Sequence, residues 1–258
     1  MENITAEEIY TLFYDDSVPE DYWEGEVDFY RNLLAQSPLV KAHRVLELAF
    51  GTGRVSLALA KEGFHITGLD LSPEMVEKAR TKSVGMPKVQ WIHGDMRSFE
   101  LGTQYGCVLI PAHSFHFMIT PEDQLQCLAQ IQKHLVPGGL LVIHLDPPEV
   151  DWLADLIGKR EGACETGRIL IHPVSGEKFR STTEWTYEPC TPTYTCQNDW
   201  HRVDESGNSL QTWKRASNYF HKSSRRKPSR FSGWRKPRCF AKMGLCHQNP
   251  TIAHIVRM

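Results

Sequence analysis

The chain has 258 residues, 41% hydrophobic and 23% charged, with a formal net charge of −2, which suits one globular α/β domain with an appended subdomain and excludes neither enzyme nor binding module. No stretch reaches the roughly 18 apolar residues of a membrane span, and Met1-Glu2-Asn3-Ile4 opens acidic where a secretion signal would be basic, so a cytoplasmic protein is expected. The seven cysteines (Cys107, Cys127, Cys164, Cys190, Cys196, Cys239, Cys246) form no C-x-x-C pair, which argues against a disulfide framework or a zinc site, and Cys107 and Cys127 sit in apolar runs typical of a core.

From Glu7 to Ala35, Ile9, Tyr10, Leu12, Phe13 and Tyr14, then Tyr22, Trp23, Phe29, Tyr30 and Leu33 recur at near-helical spacing with a break at Ser17-Val18-Pro19. Two helices joined by a turn are predicted, a cap over residues 1–40. From Arg44 strands and helices alternate: strand Val45 to Ala49, helix to Lys61, strand His65 to Asp70, helix from Ser72, strand Val89 to His93, strand Cys107 to Ile110, helix from Thr120, strand Leu140 to Leu145. This is the pattern of a doubly wound, mostly parallel sheet, placed at residues 41–150. Ser72 before Pro73, and Thr120 before Pro121-Glu122-Asp123, supply helix caps and first-turn prolines.

The turn Glu47-Leu48-Ala49-Phe50-Gly51-Thr52-Gly53-Arg54 passes from a strand straight into a helix, and Asp70 closes the next strand within the interval at which a carboxylate can reach ribose hydroxyls. A dinucleotide fits poorly, because from Gly51 the third glycine of G-x-G-x-x-G would fall on Ser56. Glu47 is expected to repel a pyrophosphate and attract an ammonium or sulfonium.

The segment resembles the class I S-adenosylmethionine-dependent methyltransferases, whose acidic-x-G-x-G-x-G turn is matched by Glu47, Ala49, Gly51 and Gly53, with alanine in place of the first glycine. The resemblance runs from Ile9 to Leu145. It implies S-adenosyl-L-methionine as cofactor, with Asp70 and the adjoining Leu71 at the ribose, Gly94-Asp95-Met96 at the adenine edge, and Leu135-Val136-Pro137-Gly138-Gly139 turning into the fifth strand. It also implies a role for Tyr14-Asp15 near the methionine end and for Pro111 at the end of the fourth strand. Arg54 can pair with the cofactor's methionine carboxylate or be an exposed helix residue, and the two readings stand level.

Beyond Asp146-Pro147-Pro148 the texture changes. Phe179, Thr183, Trp185 and Tyr187, and then Tyr194, Cys196, Asn198 and Trp200, alternate with period two, and Pro173 to Gly176, Glu188 to Pro192 and Asp204 to Asn208 would turn them. An antiparallel sheet of three or four strands over 151–213 is expected, and small-molecule members of the resembling family carry such a sheet as a lid. No Asp or Glu follows Glu205, whereas twelve Lys and Arg do. This basic tail, 214–258, can be an anionic-surface or nucleic-acid patch. A frame-shifted product fits better: the helix implied by the resemblance lacks its apolar positions from Lys222 to Ser232, and one codon choice for Lys227 to Gly233, read one base later, restores an apolar helix end. Short edge strands remain open at Cys239 to Gly244 and Thr251 to Val256.

Methyl transfer asks the protein mainly for alignment and exclusion of water, with a base where the acceptor must lose a proton. His113 and His116, after the fourth strand, are the candidate bases, although both can serve only packing or the cofactor; His144 inside the fifth strand is expected to be structural, and Glu149 and Asp151 either orient a basic acceptor or solvate a loop. A small-molecule methyltransferase is the leading reading, with a small-molecule acceptor, no membrane, and a homodimer compatible. Alternatives are a cofactor-binding protein of impaired activity, an RNA or protein methyltransferase that uses the basic tail and, more distantly, a dehydrogenase.

Overall fold

Strands covered on both faces must be largely apolar, and the run Cys107 to Ile110 meets that demand throughout. In this computed structural model β1 (Arg44–Leu48), β2 (Ile66–Asp70), β3 (Val89–His93) and β4 (Tyr105–Ile110) pair in parallel, with every residue of β2 and β4 buried. The structure describes residues 4–20, 22–145, 158–165, 167–188, 190–191, 193–220, 239–242 and 252–257. Before the sheet come α1 (Ala6–Leu12), α2 (Tyr14–Ser17), α3 (Glu26–Ala35) and α4 (Pro38–Ala42); α5 (Arg54–Lys61), α6 (Pro73–Lys82) and α7 (Pro121–His134) connect its strands.

The chain divides into two compact units. One, Val18–Pro147 with Arg225–Met258, holds the parallel sheet; the other consists of Met1–Ser17 and Pro148–Ser224. In the first unit β5 (Leu135–Leu145) follows β4, and the order β11-β12-β5-β4-β1-β2-β3 reverses direction beside β1, where open α/β sheets place their ligands. β5 begins five residues earlier than expected because Leu135 already pairs with Tyr105; the register then jumps so that Leu140 meets Cys107, and Gly138 takes a positive φ of 80° within that irregularity. β12 (Ile252–Arg257) runs antiparallel to β5 and carries β11 (Cys239–Lys242) on its far side, so of the two expected edge strands only β11 is at the edge. One apolar cluster, with Tyr30, Leu34, Val40, Val55 and Leu59, packs α3, α4 and α5 on one face; another, with Leu46, Val108, Cys127 and Ile131, packs α7 on the sheet. Cys107 and Cys127 are both fully buried, as their apolar surroundings predict.

The second unit is built on β8 (Lys178–Glu188), β9 (Thr193–Val203) and β10 (Ser209–Phe220), two hairpins whose turns fall at the predicted polar stretches. β6 (Glu161–Glu165) and β7 (Leu170–Ile171) both pair with β8, which makes five strands instead of three or four. Ile9 and Phe13 of α1 pack against Phe179 and Trp200, Arg215 pairs with Glu7 at 2.7 Å, and Trp213 donates to the Ile4 carbonyl at 2.8 Å. The expected 1–40 cap is therefore divided: α1 and α2 belong with the antiparallel sheet, α3 and α4 with the parallel one. Glu149, Asp151 and the stretch Lys222 to Gly233 lie outside the described residues, so the basic tail and its frame-shifted reading gain no structural account.

Candidate active site

The turn after β1 is held in a shape few residues tolerate. Ala49 has φ 56°, Gly51 φ 59° and Gly53 φ 84°, three left-handed positions within five residues. Alanine in place of the first glycine therefore stores strain. At Gly53 a side chain would also meet Trp91 at 3.1 Å and Leu57 at 3.3 Å, while at Gly68 of β2 it would come within 2.6 Å of Phe50 and 2.7 Å of Trp91. Gly68 was not singled out from the sequence; its place is dictated by the Phe50–Trp91 ring contact, centroids 4.6 Å apart, which floors the turn.

Asp70, at the end of β2, fastens the turn. Its Oδ2 accepts the Gly51 N–H at 2.7 Å and its Oδ1 the Ser72 N–H at 2.9 Å, joining two loops at the carboxyl ends of neighbouring strands. Leu71 beside it is an exposed apolar side chain, 63% accessible. Asp95 is engaged by Arg97, whose Nε lies 3.0 Å from each carboxylate oxygen and whose Nη1 reaches Asp123 at 3.0 Å. The Arg97 hydrogen bonds hold the Asp95 carboxyl below the usual carboxylate range. Met96 is a core residue and Pro111 is buried at the end of β4.

Glu47 does not present the charge expected of it. It is buried within β1 and accepts a hydrogen bond from the Ser56 hydroxyl. Burial pushes its carboxyl up to about 8 against the pull of Ser56 and Arg54, so the group is protonated at neutral pH. Its argument against a pyrophosphate falls with its charge.

Arg54 is corrected as well. Its guanidinium pairs with the Glu26 carboxylate, donates to the Glu20 carbonyl at 3.2 Å and lies over the Trp23 ring at 4.8 Å, so its charge is neutralised inside the protein. Glu26, which the sequence reading missed, is 1% exposed and also accepts from Tyr30 Oη at 3.2 Å and from His144 Nδ1 at 3.0 Å. Burial works against its ionised form, but His144 and Arg54 outweigh that and keep the carboxyl below its usual range. The available signal was a carboxylate four residues before Tyr30, on the buried stripe of α3.

His113 follows Ala112 in a second left-handed pair, φ 52° and 58°, and opens the short 3-10 helix Ser114–Phe117 that carries His116. Their rings stack at 6.0 Å between centroids. His144 meets His113 edge to face at 3.9 Å, and Trp23 packs against both, at 5.4 and 5.6 Å. The loop after β4 thus sets two adjacent strained non-glycine residues beside the His116 and His144 rings. Tyr14 belongs to the other unit, on α2, with its ring edge-on to Tyr10 at 5.5 Å. Among the described residues no group of His, Cys, Asp and Glu could hold a metal ion.

Residues 45–139, which contain this turn, Asp70, Asp95 and His113, match the family model of a methyltransferase domain. Over that stretch the chain is similar to the S-adenosylmethionine-dependent methyltransferases. It is similar to YqeM of Bacillus subtilis (strain 168), a candidate methyltransferase, with 30% identity over 132 residues that cover 46% of this chain and 53% of YqeM. It is also similar to the dTDP-3-amino-3,4,6-trideoxy-alpha-D-glucopyranose N,N-dimethyltransferase of Streptomyces venezuelae, 29% identical over 63% of this chain and 68% of that enzyme. The chain spans about half the length of the first curated relatives it matches, 53% and 55%. A solved S-adenosylmethionine-dependent methyltransferase from Clostridium acetobutylicum ATCC 824 shares the fold, with a TM-score of 0.66 and 15% identity across 98% of this chain and 97% of that one.

Proposed function

We propose that the chain transfers the methyl group of S-adenosylmethionine to a nitrogen or oxygen of a small molecule. The observation that carries this is the left-handed turn Ala49–Gly53 clamped to the Asp70 carboxylate at the reversal point of a parallel sheet. A carboxylate can accept from several donors at once, and a vicinal diol is a donor pair that suits it. Leu71 offers exposed apolar surface beside that carboxylate for a flat ring. Gly51, Gly53, Asp70 and Leu71 would hold the nucleoside, with Asp95, Met96 and Pro111 lining its far side. Glu47, protonated, would act through hydrogen bonding rather than charge. Arg54, engaged by Glu26, would have to share that partner to reach the methionine carboxylate.

When bound, that cofactor supplies an electrophilic methyl group on sulfur. The protein's part is to hold the acceptor in line, exclude water and receive a proton. His113 is the first choice for that proton and His116 the second, because the strained loop after β4 presents both rings together. The Streptomyces venezuelae relative, named for dimethylation of an amino sugar, favours an amine as the first acceptor class to try. Described cysteines that form no disulfide suit a reducing, cytoplasmic compartment.

Calorimetry tests the reading directly. S-adenosylmethionine is expected to bind the folded chain, and Asp70→Ala to weaken it by about tenfold or more, the loss of hydrogen bonds to a charged group. A folded chain that binds none overturns the proposal. With an amino-sugar nucleotide as acceptor, His113→Asn should lower kcat by roughly 10²–10⁴ while leaving cofactor affinity unchanged.

A further inference from the structure

A carboxylate and an imidazole, both removed from water, lie under the candidate base without touching the crevice at Asp70. Glu26 accepts from His144 Nδ1 at 3.0 Å. A carboxylate takes only donors, so Nδ1 carries a proton and Nε2 is the ring's remaining hydrogen-bonding atom. That atom is buried, with no hydrogen-bond partner among the described residues, an arrangement that calls for a reason. His144 is fully buried and its ring lies 3.9 Å from that of His113, edge to face, beneath Trp23. In the neutral ring, the tautomer that Glu26 selects thus leaves an unfilled acceptor next to His113.

We propose that Glu26 and His144 are positioning residues for His113: Glu26 keeps the proton on His144 Nδ1, and the bare Nε2 supports the cation that forms on His113. The proposal rests on His113 as the proton acceptor in methyl transfer. As the acceptor's N–H or O–H bond breaks, its electron pair stays on the acceptor and the proton bonds to a His113 nitrogen. The imidazolium so formed lies against His144, with the Glu26 carboxylate one hydrogen bond further in. Around this pair stand Tyr30 on the same helix as Glu26, Arg54 on α5, Glu47 on β1, and His113 and His116 after β4. Arg54 balances Glu26 in the resting state, so the proton on His113 is the added charge that the pair accommodates.

Long-range proton–nitrogen correlation spectra of the full chain, followed through a pH titration, read tautomer and protonation together. His144 is expected to show hydrogen on Nδ1 and an unprotonated Nε2. Glu26→Gln, which leaves Arg54 uncompensated, should lower the proton affinity of His113 about tenfold. His144→Phe keeps the Glu26–Arg54 pair and should lower it as well. Hydrogen on His144 Nε2 in the unsubstituted protein overturns the proposal, as does an unmoved His113 in the folded His144→Phe variant. Calorimetry of the same samples with S-adenosylhomocysteine separates the two readings: binding with an unmoved His113 removes the positioning role and leaves methyl transfer standing. Absence of binding with a shifted His113 leaves the coupling of the three residues standing but overturns the methyl transfer on which their role rests.

Discussion

A carboxyl group in the middle of a buried strand has lost its hydration, and at Glu47 only one hydroxyl, from Ser56, replaces it. Its proton is therefore held from an ordinary value of 4.5 up to about 8. Because the folded form binds this proton more tightly than the unfolded chain, the contribution to stability is complete below about pH 4.5 and disappears as pH rises through about 8. Glu47→Gln keeps the shape and the acceptor for Ser56 but cannot ionise. Urea unfolding at pH 8.5 should find this variant more stable than the parent by about 1–3 kcal/mol, with the difference absent near pH 4.5. Arg54 carries the opposite lesson, since removing one partner leaves Glu26 charged and alone. Arg54→Met should cost about 3–5 kcal/mol in the same measurement. The positions of Asp70 and His113 were legible because each follows or closes a strand. The links Glu26–Arg54 and Glu26–His144 were not, because they join distant parts of the chain and leave no periodicity behind.

Two helix starts were legible from a capping side chain followed by proline, whereas the same pair at Ser37-Pro38, which opens α4, went unread. Thr120 accepts the Asp123 N–H at 3.1 Å and Ser72 the Met75 N–H at 3.2 Å, as their spacing predicted. Thr120→Ala should destabilise α7 by about 1 kcal/mol, detectable as faster amide exchange in its first turn. The Ala49 turn works the other way. A left-handed alanine costs about 1–2 kcal/mol, part of which glycine gives back as chain entropy in the unfolded state. Ala49→Gly is expected to stabilise by about 0.5–1 kcal/mol in thermal unfolding; a loss of stability would show that the methyl group is packed to advantage. Elements that escaped the reading were short or irregular. β7 has two residues, β6 is mostly exposed, and the start of β5 hides behind Pro137-Gly138-Gly139.

At the scale of the molecule, the parallel unit could be read from sequence because strands shielded on both faces write continuous apolar runs, whereas the antiparallel unit declares only its alternating long strands. What the pattern could not convey was the allegiance of α1. Phe13 stacks on Trp200 at 5.5 Å and leans on Phe179 at 5.4 Å, contacts across most of the chain. Phe13→Ala should destabilise the antiparallel unit by about 3–5 kcal/mol, seen as earlier proteolysis of β8 and β9 on warming.

The placement of β12 beside β5 has a consequence for biogenesis. While a ribosome is still making the residues beyond β5, that strand's outer row of amides and carbonyls is bare, because the partner that seals it is translated only after the whole antiparallel unit has emerged. A nascent chain in this interval offers an open template to other nascent chains, and the family of holding chaperones that shield such edges should be found on it until β12 arrives.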